Sequence, residues 1–473
     1  MAEFESMRGR VTVALLLTIG FYGLALGIAG GLLLIAWLFW VNGHHVNRVT
    51  AFCVIGAGVI LWSIIPRPER FQLPGPALEA SSNPRLFKEL NDVASRVGEP
   101  MPHEVYLVPD VNAGVRQRGG FMGARGRRVM LLGLPLLQVL TISEMRAVLA
   151  HEFGHYHGGD TRLAPWIYKT REAIIRTVRQ LSGSSSVLHL PFVWYGRMFL
   201  RVTQAISRRQ EFAADALAAR TVGARPLGSG LRTIFGAALA YDGYWREEVV
   251  PVLSAGFLPP LADGFEQFLR EPRVADAVNR ATQEEMKAPR IDPYDSHPSL
   301  ADRLKALEGL PPGPEPASEP PALSLLENAS GAEVPLAARL LKPGTPALRP
   351  VSWTDVGIEV QVPYWEARVR REAQLLAGQT VATIPQLMLP SDWDAGARRT
   401  RQVTIGAALA VALVGSGWTL ESLPGAVPVL HRGADRVEPF GIVEDLSSGK
   451  LTAQGWQERA GALGIANLRL SVT

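Results

Sequence analysis

Hydrophobic positions are concentrated in two runs near the start of the chain. No charged residue occurs from Val11 to Val41, and a second apolar run extends from Val49 to Ile65. A helix needs about 20 apolar residues to cross the hydrocarbon core of a bilayer, so the first run is long enough and the second is near the lower limit. The first run is also too long for the apolar region of a cleaved signal peptide. The pattern predicts a transmembrane helical hairpin over residues 1–70.

Basic residues flank this hairpin unevenly. Arg8 and Arg10 precede the first run, Arg67 and Arg70 follow the second, and the connecting loop carries only Arg48. The positive-inside rule then places both ends of the hairpin in the cytoplasm. We therefore expect a multi-pass protein of the cell (inner) membrane whose remaining residues are cytoplasmic.

Shorter periodic patterns follow the hairpin and predict an α+β fold that is mainly helical. Residues 104–108 and 128–132 are typical of strands, with a Gly/Arg-rich loop between them. One helix is predicted to present four apolar residues on a single face: Leu86, Leu90, Val93 and Val97.

Two further helices are predicted from their start and stop signals. Thr141 and Glu144 form a capping-box pattern that begins a helix, which runs through an apolar segment and ends at Gly158 and Gly159. A second helix covers about residues 207–220. The preceding stretch, residues 187–206, contains charges and favours a soluble or interfacial helix rather than a membrane span.

Composition then divides the rest of the chain. Residues 311–335 are rich in proline, glutamate and serine and are predicted to be a linker. They separate a domain at 71–310 from a small C-terminal domain of unknown role at 336–473. The apolar segment 405–414 in that last region is short for a membrane span and favours a buried helix.

Charge and cysteine content exclude several functional classes. The net charge is +4, and no basic stripe interleaved with aromatic residues occurs, so we expect no nucleic-acid partner. Cys53 is the one cysteine, which excludes an intrachain disulfide and a multi-thiolate metal site.

The chemistry is concentrated in the motif His151-Glu152-Phe153-Gly154-His155. Residues four apart on a helix lie on one face, so both imidazoles can reach one metal ion. Glu152 lies beside them, where its carboxylate can take a proton from an attacking water. A buried helix with two ordinary histidines is the alternative interpretation.

A catalytic zinc site needs a third protein ligand and an open position. Glu211 is the candidate, and Asp215, four residues later on a largely apolar predicted helix, would accept a hydrogen bond from a ligating histidine. Two carboxylates on such a helix are costly unless they are paired or bound to metal. A solvated acidic face is the alternative for this pair.

Three segments together resemble the HtpX-like and CaaX-prenyl-protease-like membrane zinc endopeptidases, which are gluzincins. The segments are 147–155, 207–215 and Ser296-His297-Pro298 followed by Arg303. The resemblance spans about residues 70–310. It implies a zincin-like metallopeptidase domain, one Zn²⁺ per chain held by His151, His155 and Glu211, and Glu152 as general base.

The same resemblance suggests roles for further residues. It makes His297 a candidate donor to the tetrahedral oxyanion and Arg303 a partner that supports the site. Asp160 matches the family pattern as a residue that supports the metal ligands, and a helix cap or surface acid is its alternative role. Asn112 and Ala113 look like the family's substrate-binding edge. The family also has additional transmembrane helices around the site, and the sequence predicts none between His155 and Glu211.

The sequence thus predicts a membrane-anchored zinc endopeptidase whose substrates are membrane or membrane-proximal polypeptides, as in quality control. One alternative is a membrane scaffold that keeps zinc without catalysis. Another is a signalling peptidase with a single regulator as substrate. The oligomeric state is left open.

Overall fold

The structure is a computed structural model, and the chain it describes is mainly helical. The described residues are 2–43, 47–65, 73–118, 126–156, 164–182, 187–288, 297–314, 319–339, 346–388 and 395–471. They form two compact units. The first comprises residues 1–235 and 282–327, and the second comprises residues 236–281 and 328–473.

Helices outnumber strands throughout the chain. Up to residue 306 the elements are α1 (Ala2–Val41), α2 (Arg48–Ile64), β1 (Ala77–Leu78), α3 (Pro84–Val97), β2 (Glu104–Val108), β3 (Ala113–Arg118), β4 (Arg127–Gly133), α4 (Leu134–Val139), α5 (Ile142–Gly154), α6 (Ala164–Ser182), α7 (Leu190–Thr221), α8 (Ala224–Gly243), α9 (Val250–Ser254), β5 (Phe257–Leu258), α10 (Leu261–Arg270), α11 (Pro272–Lys287) and α12 (Leu300–Ala306). The later elements are α13 (Ala329–Ala338), β6 (Arg349–Pro350), α14 (Trp353–Val356), α15 (Val362–Arg371), α16 (Ala373–Leu376), α17 (Ile384–Leu387), α18 (Ala395–Gly415), β7 (Thr419–Glu421), β8 (Val429–Arg432), β9 (Asp435–Val437), α19 (Pro439–Ser448) and α20 (Ala453–Ala462).

The two apolar runs form helices α1 and α2. Within the described residues, the segment Thr12–Val41 of α1 is long and apolar enough to cross a membrane, whereas α2 is shorter. The side chain of Asn47 begins α2 by accepting hydrogen bonds from the backbone N–H groups of Val49 and Thr50. Most of the apolar segment of α1 is not buried inside the protein. That exposure is unlike the core helix of a soluble protein.

Helices α1, α2, α6 and the first half of α7 pack together in what we call the N-terminal helical cluster. The hydroxyl of Tyr195 on α7 donates a hydrogen bond to the carbonyl of Leu17 on α1 at 2.6 Å. The hydroxyls of Ser63 and Thr177 join α2 to α6 at 2.7 Å. The buried apolar residues of the cluster are Phe21, Ala25, Ala29, Leu32, Ala36, Cys53, Ala57, Ile60, Ile64, Ala173, Ile174, Leu181, Phe192, Tyr195 and Phe199.

A four-stranded sheet in the order β1-β2-β4-β3 follows the first two helices in the chain. The predicted strands at 104–108 and 128–132 are confirmed as β2 and β4, which run parallel. The predicted loop between them was wrong in part, because residues 113–118 form β3. This strand pairs antiparallel with β4 and lies at the edge of the sheet. Backbone pairing with β4 sets its conformation, although its sequence is poor in strand-forming residues.

The predicted faces and caps of α3 and α5 are confirmed. The four apolar residues of α3 are buried, and the capping box joins Thr141 and Glu144 at the start of α5. The predicted end of α5 was wrong, since α5 ends at Gly154 rather than at Gly158 and Gly159, which lie outside the described residues. The backbone N–H of Tyr156 bonds to the carbonyl of Phe153. This tighter turn ends the α-helical ladder.

Helix α7 joins two segments that were predicted to be separate. No proline interrupts residues 192–221, and Pro191 lies at the helix start, where a missing N–H is harmless. Gly196 permits close packing, since a Cβ there would lie 2.9 Å from the Ile174 side chain. The helix that carries Glu211 therefore also packs within the N-terminal helical cluster.

Helices α5 and α7 approach closely where small residues face each other. A Cβ on Gly154 would lie 3.1 Å from the Cα of Ala214 and 3.3 Å from its Cβ. Such distances are tighter than nearly all real Cβ contacts. Glycine at this position therefore sets the spacing between the two helices.

The segment 311–335 contains ordered structure. A 3-10 turn covers Ala322–Leu325, and α13 begins at Ala329. In the second unit, the buried Glu333 accepts hydrogen bonds from the backbone N–H groups of Leu261 and Ala262, which satisfies the start of α10. Residues 236–281, which were predicted to lie in the metallopeptidase domain, belong to this unit.

The second unit has its own hydrophobic core around α18. Six apolar residues in the described part of that helix are fully buried: Ile405, Ala407, Ala408, Leu409, Ala410 and Leu413. They pack against residues of α15, α19 and α20, among which Trp456 is also fully buried. The prediction of a buried helix at 405–414 is thus confirmed.

An ion pair between α3 and α5 generates a pH prediction. Two hydrogen bonds from Arg146 to Glu89, of 2.6 and 2.8 Å, hold the Glu89 pKa below its ordinary value of 4.5. A lowered pKa in the folded state contributes stability above the unfolded pKa, and that stability is lost as the pH falls through the folded pKa. Glu89→Gln should therefore reduce the free energy of unfolding by about 1 kcal/mol at pH 7. The difference from the parent protein should shrink below pH 4.5 in urea denaturation curves.

Glu284→Gln on α11 is the matched control for Glu89→Gln. Glu284 is exposed, so this variant should match the parent at both pH values. A difference between Glu89→Gln and the parent that does not change with pH would contradict the electrostatic explanation.

The close contact between α5 and α7 generates a second prediction. Gly154→Ala should lower the free energy of unfolding by about 1–3 kcal/mol, because the added methyl group meets the Ala214 backbone. Gly461→Ala on α20 is the control, since its Cβ would meet nothing within 4 Å. The control should be neutral or gain up to about 1 kcal/mol of helix propensity. Equal effects of the two substitutions in thermal or urea unfolding would refute the packing argument.

Candidate metal centre

Helix α5 supplies two imidazoles to one site. His151 and His155 are one turn apart near the end of α5, and their Nε2 atoms are 3.2 Å from each other. The His151 side chain is buried, whereas 29% of the His155 side chain is exposed. The site is therefore open to solvent on the His155 side.

Helix α7 adds a carboxylate to the imidazole pair. Glu211 places one carboxylate oxygen 3.5 Å from His151 Nε2 and the other 3.5 Å from His155 Nε2. In the described part of the chain, its buried Oε2 atom has no hydrogen bond of acceptable geometry. Tetrahedral zinc ligands at about 2.0–2.1 Å from the ion are about 3.3 Å apart. The three side chains therefore fit one zinc ion.

Asp215 and Arg303 support this arrangement from the opposite side of His151. Asp215 lies one turn after Glu211 on α7, and its carboxylate is 2.9 Å from His151 Nδ1. Arg303 on α12 donates two hydrogen bonds to Asp215, at 2.6 and 2.8 Å. Because Asp215 accepts the proton on Nδ1, the Nε2 lone pair of His151 is directed to the side where Glu211 and His155 lie.

Burial and these contacts determine the pKa values of the two carboxylates in the site. Burial opposes ionisation of Asp215, but hydrogen bonds from Arg303 and His151 hold its pKa below the usual range. Burial also opposes ionisation of Glu211, and its close contacts with the rings of His151 and His297 hold its pKa well below the usual range. Both carboxylates are therefore anionic at neutral pH.

The two histidines differ in their proton affinity. Burial disfavours protonation of both, and it lowers the pKa of His155 to about 4. For His151, hydrogen bonds to Asp215 and Glu211 outweigh burial and raise the pKa to about 9. A cation between the two rings would take the place of the proton that these carboxylates attract to His151.

Glu152 lies next to the candidate ligands on α5. One ligand atom from each of His151, Glu152 and His155 falls within a 4.8 Å group. Burial raises the Glu152 pKa to about 7. A carboxylate with such a pKa can both accept and release a proton near neutral pH.

His297 reaches the same site from a distant part of the sequence. Its Nδ1 atom lies 3.2 Å from Glu211 Oε2, and 62% of its side chain is exposed. Asp160 and Ser296 lie outside the described residues. The structure thus brings together His151, Glu152, His155, Glu211, Asp215, His297 and Arg303.

The predicted substrate-binding residues lie at the start of the edge strand. Asn112 is exposed, and its carbonyl accepts a hydrogen bond from the Gly133 N–H at 2.8 Å. Ala113 is the first residue of β3, and it pairs with Leu132. The next residue, Gly114, is near the site, since a Cβ there would lie 4.0 Å from Glu152 Oε2.

Sequence reasoning missed residues that position the histidine helix. The carboxylate of Glu319 accepts hydrogen bonds from both the backbone N–H and the hydroxyl of Ser143, each at 2.7 Å. Ser229 donates a hydrogen bond to Glu144 of the capping box. Glu319 lies far along the chain in a proline-rich segment, so no local pattern connected it with α5. The contact between Gly154 and α7 was equally hidden, since it depends on how the two helices pack.

Comparisons with known proteins support a peptidase domain in this chain. Residues 80–310 match the model of Peptidase family M48. Protease HtpX of Idiomarina loihiensis is 27% identical over 168 residues, which are 32% of this chain and 56% of that protein. An HtpX homologue of Acidiphilium cryptum is 28% identical over 207 residues, covering 40% of this chain and 69% of that protein. An HtpX homologue of Tropheryma whipplei is 26% identical over 159 residues, covering 30% and 53%.

Each of these similarities extends over only part of this chain and part of the relative. The chain spans about half the length of the first relatives it matches, and no solved structure matches it with significance. All the described candidate site residues, from Asn112 to Arg303, fall inside the matched range. Residues 80–310 therefore match peptidase family M48, and the chain is similar over this region to the HtpX proteases.

Proposed function

We propose that this chain is a membrane-anchored zinc endopeptidase that hydrolyses peptide bonds with an activated water. One observation carries the proposal: the Nε2 atoms of His151 and His155 and the carboxylate of Glu211 have the mutual spacing of tetrahedral zinc ligands. These three residues would hold one zinc ion per chain. Structural zinc sites use four protein ligands, and three ligands leave a position for water or substrate.

Glu152 is the proposed general base. Zinc, when bound, would supply a Lewis acid that polarises the peptide carbonyl and makes water more acidic. Glu152 takes a proton from the attacking water as the water oxygen bonds to the carbonyl carbon. It then gives that proton to the amine as the C–N bond breaks.

His297 and the Asp215–Arg303 pair have supporting roles in this proposal. The exposed imidazole of His297 beside Glu211 is positioned to donate a hydrogen bond to the carbonyl oxygen as it becomes negative. Asp215 orients His151, and Arg303 fixes the Asp215 carboxylate through two hydrogen bonds. On the resemblance alone, Asp160 is proposed to support the metal ligands.

Substrate binding is proposed to use the edge strand β3. A strand at the edge of a sheet can add an extended peptide through its backbone groups, here beginning at Asn112 and Ala113. The proximity of Gly114 to Glu152 would bring that peptide to the general base. The strand also lies in the family-matched domain.

Membrane anchoring is proposed for the N-terminal helices. The outward side of α1 and α2 carries large apolar residues, including Leu16, Trp37, Ile55 and Trp62, each at least 58% exposed. An apolar surface of this kind suits lipid contact. We propose a hairpin at 1–70 with the peptidase domain at 71–310 in the cytoplasm, where it would process membrane or membrane-proximal polypeptides in quality control.

Glu152→Gln tests the proposed chemistry. The variant should bind one zinc per chain, as the parent does, and cleave casein about 10²–10⁴-fold more slowly, because it lacks the base. Zinc is measured by mass spectrometry on the full chain in detergent. Glu284→Gln is the control, because it makes the same glutamate-to-glutamine change at an exposed position of α11. Removal of zinc by a chelator should abolish parent activity, and added zinc should restore it. Zinc in every protein without cleavage by the parent would favour a scaffold or a single-substrate peptidase, and absence of zinc would refute the centre.

Asp215→Asn tests how the first ligand is positioned. The variant should bind zinc about 10–100-fold more weakly, because the His151 ring loses its carboxylate partner. It should also unfold more easily, since the largely buried Arg303 loses its ion pair. In Asp215→Asn the Arg303 charge keeps only the longer 3.7 Å ion pair with Glu211. The double variant Asp215→Asn with Arg303→Met removes this charge and should recover stability without recovering zinc affinity. Zinc affinity equal to that of the parent in Asp215→Asn would contradict the assigned role.

A further inference from the structure

The edge strand β3 carries an unusual charge for a strand next to the candidate site. Its sequence is Ala-Gly-Val-Arg-Gln-Arg, from Ala113 to Arg118. Side chains alternate between the faces of a strand, so Gly114, Arg116 and Arg118 share one face. Of these three, Gly114 marks the end of the strand that approaches the Glu152 carboxylate.

The register of the sheet fixes which residues neighbour these arginines. Arg116 pairs with Val129, and Val129 pairs with Glu104 on β2. Arg118 pairs with Arg127. Three arginines and one glutamate therefore lie on the same face of the strands β3, β4 and β2.

The Glu104 carboxylate contacts Tyr106, Arg118 and Arg127. Its Oε2 accepts hydrogen bonds from Tyr106 at 2.8 Å and Arg118 at 3.0 Å, and its Oε1 accepts one from Arg127 at 3.3 Å. These contacts hold the Glu104 pKa below its usual range, with the Tyr106 hydrogen bond as the largest cause. The carboxylate has its full set of partners without Arg116.

Arg116 is left exposed with its charge available. It makes no hydrogen bond or ion pair to the other described residues and lies on the strand with no neighbour on its outer side. Two residues along a strand correspond to about 7 Å. The Arg116 side chain is therefore about 7 Å along the strand from the position that approaches the general base.

We infer that Arg116 selects substrates with an acidic side chain on the N-terminal side of the scissile bond. This inference rests on the proposed peptidase function. In a peptide that pairs antiparallel with β3, one residue lies opposite Gly114. The residue two positions earlier in the peptide then lies opposite Arg116. Antiparallel pairing is the more stable arrangement per residue. Opposite charges on directly facing strand residues attract, and like charges repel.

The test maps cleavage sites in a mixed peptide library with the zinc-loaded full chain in detergent. In the parent, aspartate and glutamate should be enriched about two- to fivefold at the second or third residue before the cleaved bond. Added salt at about 0.5 M should reduce that enrichment, because exposed charges are screened. Arg116→Gln should abolish the enrichment, and Arg116→Glu should reverse it in favour of lysine and arginine.

Arg96→Glu on α3 is the matched control, since Arg96 is exposed and lies on another element. It should keep the parent's cleavage pattern. Zinc content and total cleavage of the library show whether each variant is folded. Cleavage by the parent without acidic enrichment, or an unchanged pattern in Arg116→Glu, would overturn this inference and leave the proposed function intact. Absence of any cleavage by the zinc-loaded parent would overturn both.

Discussion

The site depends on how closely α5 and α7 approach each other. Gly154 faces Ala214 so closely that a Cβ added to Gly154 would lie only 3.1 Å from the Ala214 Cα. The candidate metal ligands His151 and His155 flank Gly154 on α5, and the carboxylates of Glu211 and Asp215 flank Ala214 on α7. Since imidazole and carboxylate side chains are short, the two helices must be this close for the histidine nitrogens of α5 to lie 2.9–3.5 Å from the carboxylate oxygens of α7. One pair of small residues thus determines whether four functional side chains meet.

The same helix connects the site to the N-terminal helical cluster. Helix α7 packs through Tyr195 and Phe199 in the cluster and carries Glu211 and Asp215 three turns and more beyond. The Tyr195 hydroxyl is bonded to the backbone of α1. A continuous helix transmits position along its axis, so the place of Glu211 relative to α1 is fixed by packing within the first unit. A tethered peptidase would gain from this arrangement, because its site would stay at a fixed distance from the membrane segment.

Local patterns were sufficient to predict elements that depend on their own sequence, but not contacts between distant segments. The apolar face of α3, the capping box of α5 and the buried segment of α18 follow from periodicity and side-chain chemistry, and each is present. The end of α5 and the strand β3 depend on backbone hydrogen bonds, which the local sequence of a few residues does not determine. The family resemblance suggested that Arg303 supports the site, but its contact with Asp215 was not predicted. Glu319 was hidden in a predicted linker, because charged residues in a proline-rich stretch are typical of solvated chain.

The ends of α5 have complementary electrostatic environments. At the N-terminus, the carboxylates of Glu144 and Glu319 accept backbone N–H groups that the helix itself cannot satisfy. Negative charge there is favourable because the helix dipole is positive at that end, and the opposite end favours a cation. The candidate metal ligands His151 and His155 lie at that opposite end. Glu319 lies beyond the family-matched residues 80–310, so the histidine helix is stabilised by a part of the chain that the family match does not include.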